Sequence, residues 1–547
     1  MPRDLTTTVF GGSVPRRAKH LVPANEAAWA LDCKLETGEL SSWRAPRPIR
    51  SFPADTRSVY HAFNCCWLSS TTCAHWAEGS VEQRHVFATQ YNGIPYPVRL
   101  ILDANCTPEV VRLGLPCPTT RPDTNIGTST STKIGNASKG AEPRSYAYQF
   151  GDRFGNRSTL SEPSLDIVVA EGTAVQVSGW GIPAGGWDIT TIYIFRSVAG
   201  FDNPNAEDTN NIDAGWMQVA AIPAASVSFI DTVLNIDLDE AIKEDIVEPP
   251  PADLQGLTWI KSNNCLVGFV GRRLYFTENN NYHNWAYNLL LDDDIKAIAE
   301  SNNVLYVATN GHPYAVQAAV DCANAGCRRA IRMPEPVPLV GAGFRSMIAL
   351  PSGVVWPTHI GLAYMSGDNP PKIATASLYG ATQWQALHPD TMKGAYHEGR
   401  LFCTFRKGGY IMGLSDGIGI RSDVDTHTEL SLRPDEWMVS RTGRLYLRTG
   451  AQLSEWDRGD TLMTHTYESG TAELPVPFNF GVLHVRMAAG SESVTLYVDD
   501  DLTLDEPLTG TDTFPLPSWE GTAFRWRLQG TATVHRLSLA PSYKELT

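Results

Sequence analysis

The chain has 547 residues, of which 42% are hydrophobic and 10% aromatic, enough for three or four domains with cores of their own. Its 36 prolines and 45 glycines favour many short strands over long helices. The formal net charge of −15 argues against general nucleic-acid binding, because neutralising phosphates needs clustered lysine and arginine. No apolar run approaches the roughly 20 residues that span a bilayer, and the first residues lack a signal-peptide core, so we expect a chain that folds in a cytoplasm.

Charge is unevenly distributed along the chain. Residues 1–125 contain 13 basic and 11 acidic side chains, a balance of +2, so residues 126–547 carry −17. Net charge mainly affects solubility and does not indicate the fold. An acidic balance is nevertheless compatible with nucleic acid that passes close by without binding.

Ten cysteines show no spacing typical of a disulfide framework, and in a cytoplasmic chain we expect them to be reduced. One group of residues could in principle bind zinc. Cys65, Cys66 and Cys73 lie between His61 and His75, and thiolate and imidazole ligands suit zinc. Neither a CxxC nor an HxxxH spacing is present, and the group lies among Trp67 and Trp76 in a strand-like run. Core packing is therefore the preferred interpretation, and a metal site is the alternative.

The first 125 residues contain one helix candidate, Asn25–Lys34, followed by turns and extended chain. Residues 58–100 alternate aromatic and polar side chains, which predicts half-buried β-hairpins that contribute a further blade to the propeller predicted below. Residues 118–143 are rich in Ser, Thr, Gly and Pro and poor in large apolar groups, so we expect an exposed loop or linker.

A β-sandwich of the fibronectin or immunoglobulin type is predicted from about residue 144 to 247, because short strands alternate there with turns. Glu248–Ala252, with consecutive prolines, favours a stiff connector after it. The predicted strands are Ser145–Phe150, Ser164–Val169, Thr173–Val177, Ile189–Arg196, Trp216–Ile222 and Val227–Asp231.

One short unit recurs five times between Leu257 and Trp456: a polar turn, an apolar strand, a second turn and a second apolar strand. A period of about 40–50 residues with short hairpins is typical of β-propeller blades, which stack around an axis because one blade cannot bury both of its faces. Unrelated hairpins in an irregular β protein are the alternative. The copies begin at Ser262, Ser301, Ser352, Glu398 and Thr442.

Alternation returns in residues 461–547 and predicts a C-terminal β-sandwich. The predicted fold is thus mainly β, with an irregular β-propeller core, an inserted fibronectin- or immunoglobulin-like β-sandwich and a C-terminal β-sandwich. The predicted domains are a β-hairpin region contributing to the propeller (1–125), a linker plus inserted sandwich (126–252), the propeller (253–460) and the C-terminal sandwich (461–547).

Several segments match one known family in spacing and order across nearly the whole chain, although a Leu-Gly-x-Pro motif alone is weak. They are Leu21–Pro23, Ala27–Cys33, Gly38–Leu40, Arg84–Thr89, Gly93–Pro95, Val111–Pro118, Tyr146–Ser164, Leu254–Glu278 with Trp285, Gly361–Ser366 and Pro477–Gly481. The chain resembles the tail nozzle, or tail tubular protein B, of short-tailed (podovirus-like) bacteriophages, whose role is close to that of the tail stabilisation proteins. It departs from the family at residues 61–75, where Cys and His replace aliphatic or acidic residues.

The resemblance implies a structural virion protein that is synthesised in the host cytoplasm and resides in the phage tail. Six copies would form a homohexameric ring at the distal end of the tail, with residues 1–125 docking onto the adaptor, or head-to-tail connector, ring. Tail fibres are further possible partners. The ring would hold the genomic DNA and then conduct it during ejection, without sequence-specific binding, and an acidic lumen would repel the DNA phosphates.

No residue of the sequence is predicted to be catalytic, cofactor-binding or metal-binding, and we expect no enzyme and no cofactor. Gly413–Gly417 matches the G-x-S-x-G pattern, but a nucleophile elbow joins a strand to a helix and loop-like sequence follows here. Asp292–Asp294 and Asp499–Asp501 offer carboxylates to calcium, yet Asp is also favoured in turns. The alternatives to the nozzle are a β-propeller carbohydrate-binding adhesin and a glycan-processing enzyme, the latter lacking Asp boxes and paired carboxylates.

Overall fold

The computed structural model describes residues 4–63, 66–79, 85–130, 142–170, 173–197, 215–238, 247–318, 328–341, 344–413, 427–488 and 490–546. Nearly all regular structure in these ranges is β. The helices described there are too short to cross a membrane. They are the α-helix Ala381–Gln385 and the 3-10 turns Lys19–Leu21, Tyr91–Gly93, Asn235–Asp237, Phe344–Ser346, Pro389–Thr391 and Tyr543–Glu545.

The chain divides into two compact units. The first comprises Met1–Thr72, Asp292–Ala319 and Arg328–Thr547, and the second comprises Cys73–Leu291 and Val320–Cys327. Each unit contains four-stranded antiparallel sheets of the propeller-blade type together with a β-sandwich.

Six such blades occur in the described residues, A and B in the second unit and C to F in the first. Their strands are, for blade A, His75–Glu78, His85–Thr89, Val98–Leu102 and Pro108–Arg112; for blade B, Gln255–Ile260, Cys265–Val270, Arg273–Phe276 and Tyr287–Leu290; for blade C, Ile295–Ser301, Val304–Thr309, Tyr314–Ala318 and Arg328–Arg332; for blade D, Ile348–Leu350, Gly353–Pro357, Leu362–Met365 and Lys372–Ile373; for blade E, Lys393–His397, Arg400–Thr404, Gly409–Gly413 and Thr428–Leu430; and for blade F, Glu436–Val439, Leu445–Thr449, Gln452–Glu455 and Arg47–Ser51.

The five sequence repeats are the central hairpins of blades B to F. In each copy the polar turn precedes the second strand of a blade, and the apolar pair that follows forms strands two and three. The second strands of the blades are mostly buried, which explains the apolar runs, because a strand covered on both faces of its sheet carries apolar side chains on both. The prediction of a mainly β chain with a propeller core is confirmed.

Blade F is completed by a strand from the opposite end of the chain. Arg47–Ser51 pairs antiparallel with Gln452–Glu455 as the fourth strand. The extended N-terminal segment therefore closes a blade whose other three strands lie about 400 residues later. This pairing removes one exposed sheet edge, which would otherwise invite association with other chains.

The C-terminal sandwich also recruits N-terminal strands. Its first sheet has the order Leu5–Thr7, Val534–Ala540, Val482–Met487 and Asp512–Pro515. Trp526, Leu483 and Leu537 are fully buried in its core. The second sheet continues from Thr428–Leu430 of blade E through Ala27–Leu31, His465–Ser469, Gly521–Gly530, Glu492–Val498 and Asp501–Leu508, with Ala472–Phe478 also pairing with Gly521–Gly530.

The inserted sandwich of the second unit follows the predicted strands within a few residues, and its core holds Tyr148, Val175 and Ile194. One sheet pairs Asp123–Thr130, Thr173–Ser178 and Ser228–Asp231; a second pairs Tyr146–Gly151, Thr191–Ser197 and Trp216–Pro223; and Glu142–Arg144 pairs with Ile167–Val169. The prediction of an inserted sandwich is confirmed, whereas the domain boundaries in the sequence stay predictions.

Two local predictions are wrong. Asn25–Lys34 is not a helix: Ala27–Leu31 is a strand against His465–Ser469, and Cys33–Lys34 pairs with Ser41–Ser42, because pairing across the chain overrides the helix propensity of the alanines. Within the segment 118–143, Asp123–Thr130 is a strand and not a loop, while residues 131–141 lie outside the described residues. The hairpins expected at 58–100 are present, at Ser58–His61 with Trp67–Ser70 and in blade A.

Candidate functional site

A cleft in the first unit lies between the first strands of three successive blades. Ile348–Leu350, Lys393–His397 and Glu436–Val439 lie side by side at the starts of blades D, E and F. Propeller blades are arranged around a central channel. We call the space between these strands the axial cleft; its volume is about 340 Å³, and Arg345, Met347 and residues of the three strands line it.

Glu436 is the acidic side chain of the axial cleft, and both of its oxygens are engaged by arginines. Oε1 lies 3.0 Å from a terminal nitrogen of Arg345, and Oε2 accepts a 3.2 Å hydrogen bond from Nε of Arg448. Burial raises the pKa of Glu436, while the two guanidinium groups oppose that shift. Both oxygens of the Glu436 carboxylate are thus paired with arginine side chains.

The Arg448 guanidinium ties blade F to the segment that precedes Ser58–His61. It donates to the carbonyl oxygens of Thr56 (3.2 Å), Arg57 (3.1 Å) and Gly450 (2.7 Å). Its side chain is only 6% exposed. A buried charge with hydrogen bonds to a carboxylate and to three carbonyls is fixed in orientation, so the wall of the axial cleft is rigid here.

Lys393 contributes a third cation to the cleft from the first strand of blade E. Within the described ranges no carboxylate lies at salt-bridge distance from it, whereas the one carboxylate lining the cleft is shared by two arginines. The next residue, Gly394, lets the strands approach closely, because a Cβ there would lie 2.5 Å from the carbonyl oxygen of Phe402. Basic groups therefore outnumber acidic groups along the lining.

The aspartate triplets are used in turns. The Asp499 carboxylate accepts hydrogen bonds from the backbone of Thr522 (3.0 Å) and Ala523 (2.8 Å), and these bonds lower its pKa. Asp293 accepts one from the backbone of His312, at 3.1 Å. This is the capping role that aspartate plays in turns. In the part of the chain that the structure describes, no group of three His, Cys, Asp or Glu side chains could hold a metal ion.

The cysteine and histidine group does not form one described cluster. Cys65 lies outside the described residues. Cys66 and also Cys106 are disulfide-bonded, so the expectation of reduced cysteines is wrong for these two, while Cys73 is an exposed thiol. The buried ring of His75 accepts a short hydrogen bond from the backbone N–H of Gly256. Such a bond belongs to packing between neighbouring strands.

Hydrogen bonds that no sequence motif indicated join Ser42, His465 and Glu492 in one line. The Ser42 hydroxyl lies 2.8 Å from Nδ1 of His465, and Nε2 of His465 lies 3.1 Å from Glu492. Catalytic triads place the serine at Nε2 and the carboxylate at Nδ1, the reverse of this order. Since His465 and Glu492 side chains are fully buried, this line is part of the packing of the C-terminal sandwich. The G-x-S-x-G serine, Ser415, lies outside the described residues.

The inserted sandwich holds a second buried polar network. Arg196 donates to Asp231 at 2.6 Å and to Asn235 at 2.7 Å, and the Tyr146 hydroxyl donates to Asp231 at 2.7 Å. Arg196 and Asp231 are essentially inaccessible to solvent. Burial raises the pKa of Tyr146, so its hydroxyl keeps the proton that it donates. This network stabilises the sandwich and offers no open space for a ligand.

Comparison with known proteins gives no family and no curated relative. No family model matches the chain, and no curated protein matches it. Solved structures with some likeness are BamB from Moraxella catarrhalis (9% identity, 61% of this chain and 96% of that one, TM-score 0.25), BBS1N in complex with ARL6DN (10% identity, 76% and 96%, TM-score 0.29) and Sqt1 from Saccharomyces cerevisiae (9% identity, 76% and 98%, TM-score 0.27). At these TM-scores the likenesses carry no argument about function. The chain is a β-propeller protein on the strength of its own sheets.

Proposed function

We propose that this β-propeller protein is a structural subunit of the distal tail nozzle of a short-tailed phage. The observation that carries the proposal is the order of family-like segments along nearly the whole sequence. These segments coincide with regular structure: Ala27–Leu31 is the strand that joins blade E to the C-terminal sandwich, and Tyr146–Gly151 opens a sheet of the inserted sandwich. Pro477–Gly481 leads into the first sheet of the C-terminal sandwich.

An exposed acidic edge supports the part of the proposal that concerns DNA. Asp501–Leu508 is the last strand of its sheet, and its outer side pairs with no other strand in the described residues. The exposed acidic side chains of this strand and its turn, which we call the acidic edge, are Asp499, Asp500, Asp501, Asp505 and Glu506. Facing a lumen, the acidic edge would repel phosphates, so that DNA slides without adhering. A lumen lined by Lys and Arg in the assembled ring would contradict this.

The test is quantitative mass spectrometry of purified virions from the source, with this chain scaled to the portal protein. A sixfold ring predicts about half the portal copy number, retained on isolated tails. Absence from the particle contradicts the proposal. In parallel, native mass spectrometry of the purified chain with the adaptor ring should show six copies bound, held by interfaces commonly above ~2,000 Å².

A carbohydrate-binding adhesin is the second candidate, and the open face of the C-terminal sandwich favours it. Strand register places Trp29, Glu468, Arg527, Thr495 and Asp505 in one row across the second sheet. In the adjacent row the Arg525 guanidinium lies 4.2 Å from the ring of Tyr497. Aromatic rings beside planar hydrogen-bonding groups suit sugar rings, which present both apolar faces and hydroxyls.

A glycan array separates the two candidates. The adhesin predicts binding that is lost in Tyr497→Ala and kept in Tyr543→Ala, an exposed tyrosine outside this face. Binding that is indifferent to Tyr497, or no binding at all, leaves the nozzle as the proposal. Turnover of polysaccharide by the purified chain would contradict both candidates.

A further inference from the structure

The axial cleft carries an inference that is independent of the phage proposal. Its lining brings together Arg345, Lys393 and Glu436 over a space of about 340 Å³. Volumes of this order are typical of sites that take small molecules. We propose that the axial cleft binds a small soluble oxyanion, of the phosphate or carboxylate class, through the ammonium group of Lys393.

The arginines beside the axial cleft have counter-ions, and Lys393 has no carboxylate at salt-bridge distance in the described ranges. The charge of Glu436 neutralises one of its two arginine partners, Arg345 and Arg448. The half-exposed Asp435, 3.6 Å from Arg448, supplies a second negative charge. Nothing in the described ranges balances Lys393 in the same way. A partly enclosed cation without a counter-ion is costly, because it has lost part of its hydration. An anion in the cleft removes that cost.

Both cations of the axial cleft stand on fixed supports. The Lys393 backbone is held in a paired strand, opposite Thr404, so its side chain starts from a fixed position. Arg345 is held by Glu436 and by the carbonyl of Arg57, at 3.4 Å. Two cations that line the same space from rigid supports are pre-organised for a compact oxyanion and lose little freedom on binding. A volume of about 340 Å³ matches a small molecule and not a folded partner.

Isothermal titration calorimetry of the full-length chain with inorganic phosphate tests the proposal, and citrate and chloride are the comparison anions. We expect saturable binding of phosphate or citrate at a stoichiometry of one, and none of chloride. Lys393→Met should weaken binding about 10- to 100-fold, which is the loss of a hydrogen bond to a charged group expressed as affinity. Lys407→Ala removes the same charge from an exposed turn of the same blade and should leave affinity within about twofold.

Other outcomes overturn the inference. Equal affinity in the parent chain and Lys393→Met, with both folded by circular dichroism, would show that the anion binds elsewhere. No saturable binding in the millimolar range would show that Lys393 needs no counter-ion. If Lys393→Met fails to fold, Lys393→Arg keeps the charge and must keep the affinity. Tighter binding of single-stranded oligonucleotide than of phosphate, sensitive to Lys393, would make the ligand a nucleic acid and contradict a small-anion site.

Discussion

Removing the Asp231 carboxylate from the inserted sandwich should unfold that sandwich locally, because it leaves the Arg196 guanidinium buried without its partner. Asp231 also accepts hydrogen bonds from the Tyr146 hydroxyl and from the backbone N–H of Val233, at 2.7 and 2.9 Å. Breaking a buried ion pair by removing one partner costs about 3–5 kcal/mol. We expect Asp231→Ala to lower the free energy of opening by that amount.

Hydrogen–deuterium exchange of peptides from Tyr146–Gly151 and Thr191–Ser197 measures this opening. Since each 1.4 kcal/mol is a factor of ten, amide exchange in these strands should accelerate by between two and nearly four powers of ten, approximately. Asp231→Asn keeps an acceptor for Tyr146 and removes the charge, so it should fall between the parent and Asp231→Ala. The Glu109→Ala control breaks the exposed Glu109–Arg153 pair and should cost less than about 1 kcal/mol.

Less than tenfold acceleration in Asp231→Ala would refute the reasoning. It would mean that Arg196 finds compensation from Asn235 and from the carbonyl of Val233, which it already contacts at 2.7 and 3.0 Å. Acceleration confined to Ser228–Asp231 would have a different meaning. The carboxylate would then hold its own strand and not the sheet that contains Arg196.

The remaining predictions concern the first unit. Burial lowers the pKa of His427 to about 4. Because the unfolded state binds a proton near pH 6.5, the free energy of unfolding should fall by about 3 kcal/mol as pH drops from 6.5 to 4. Urea titrations measure this pH dependence, and His427→Gln should reduce it. Trp526→Ala should cost about 3–5 kcal/mol by urea unfolding, whereas the control Trp519→Ala, 46% exposed, should cost under about 1 kcal/mol. Replacing residues 47–51 by Gly and Ser should speed exchange in Gln452–Glu455, which loses its partner strand, and leave exchange in blade D unchanged. Reversing the charges of Asp501 and Asp505 should slow DNA ejection from phage particles, and unchanged kinetics would argue against an acidic lumen.

The blade hairpins could be predicted because their signal is local. A turn residue followed by an apolar strand, a second turn and a second strand appears within about 25 residues, and burial on both sheet faces keeps the strands apolar. The strands of the inserted sandwich were predictable for the same reason. Arg47–Ser51 was not, because its partner lies about 400 residues away and all five of its side chains are exposed.

The candidate site could not be predicted at all. Lys393 and Glu436 stand 43 positions apart in sequence, and nothing near either residue indicates that their strands lie side by side. The Arg196–Asp231 pair poses the same difficulty, since a charged residue in a strand is ordinarily read as facing solvent. The helix prediction that included Ala27–Leu31 was wrong because the alanines favour a helix locally, whereas pairing with Thr466–Ser469 makes the segment a strand.

The pairing of Leu5–Thr7 with Val534–Ala540 has a consequence for synthesis on the ribosome. Leu5 pairs with Leu539, which is made 534 residues later, so at about 5–20 residues per second the first strand waits roughly half a minute to two minutes for its partner. Arg47–Ser51 waits nearly as long, because its partner strand Gln452–Glu455 is made about 400 residues later. Nascent chains that stop before the last strands therefore keep several edges unpaired, and an unfinished copy differs in surface from a finished one. The sheet that contains Leu5–Thr7 is thus completed only after Val534–Ala540 has been made.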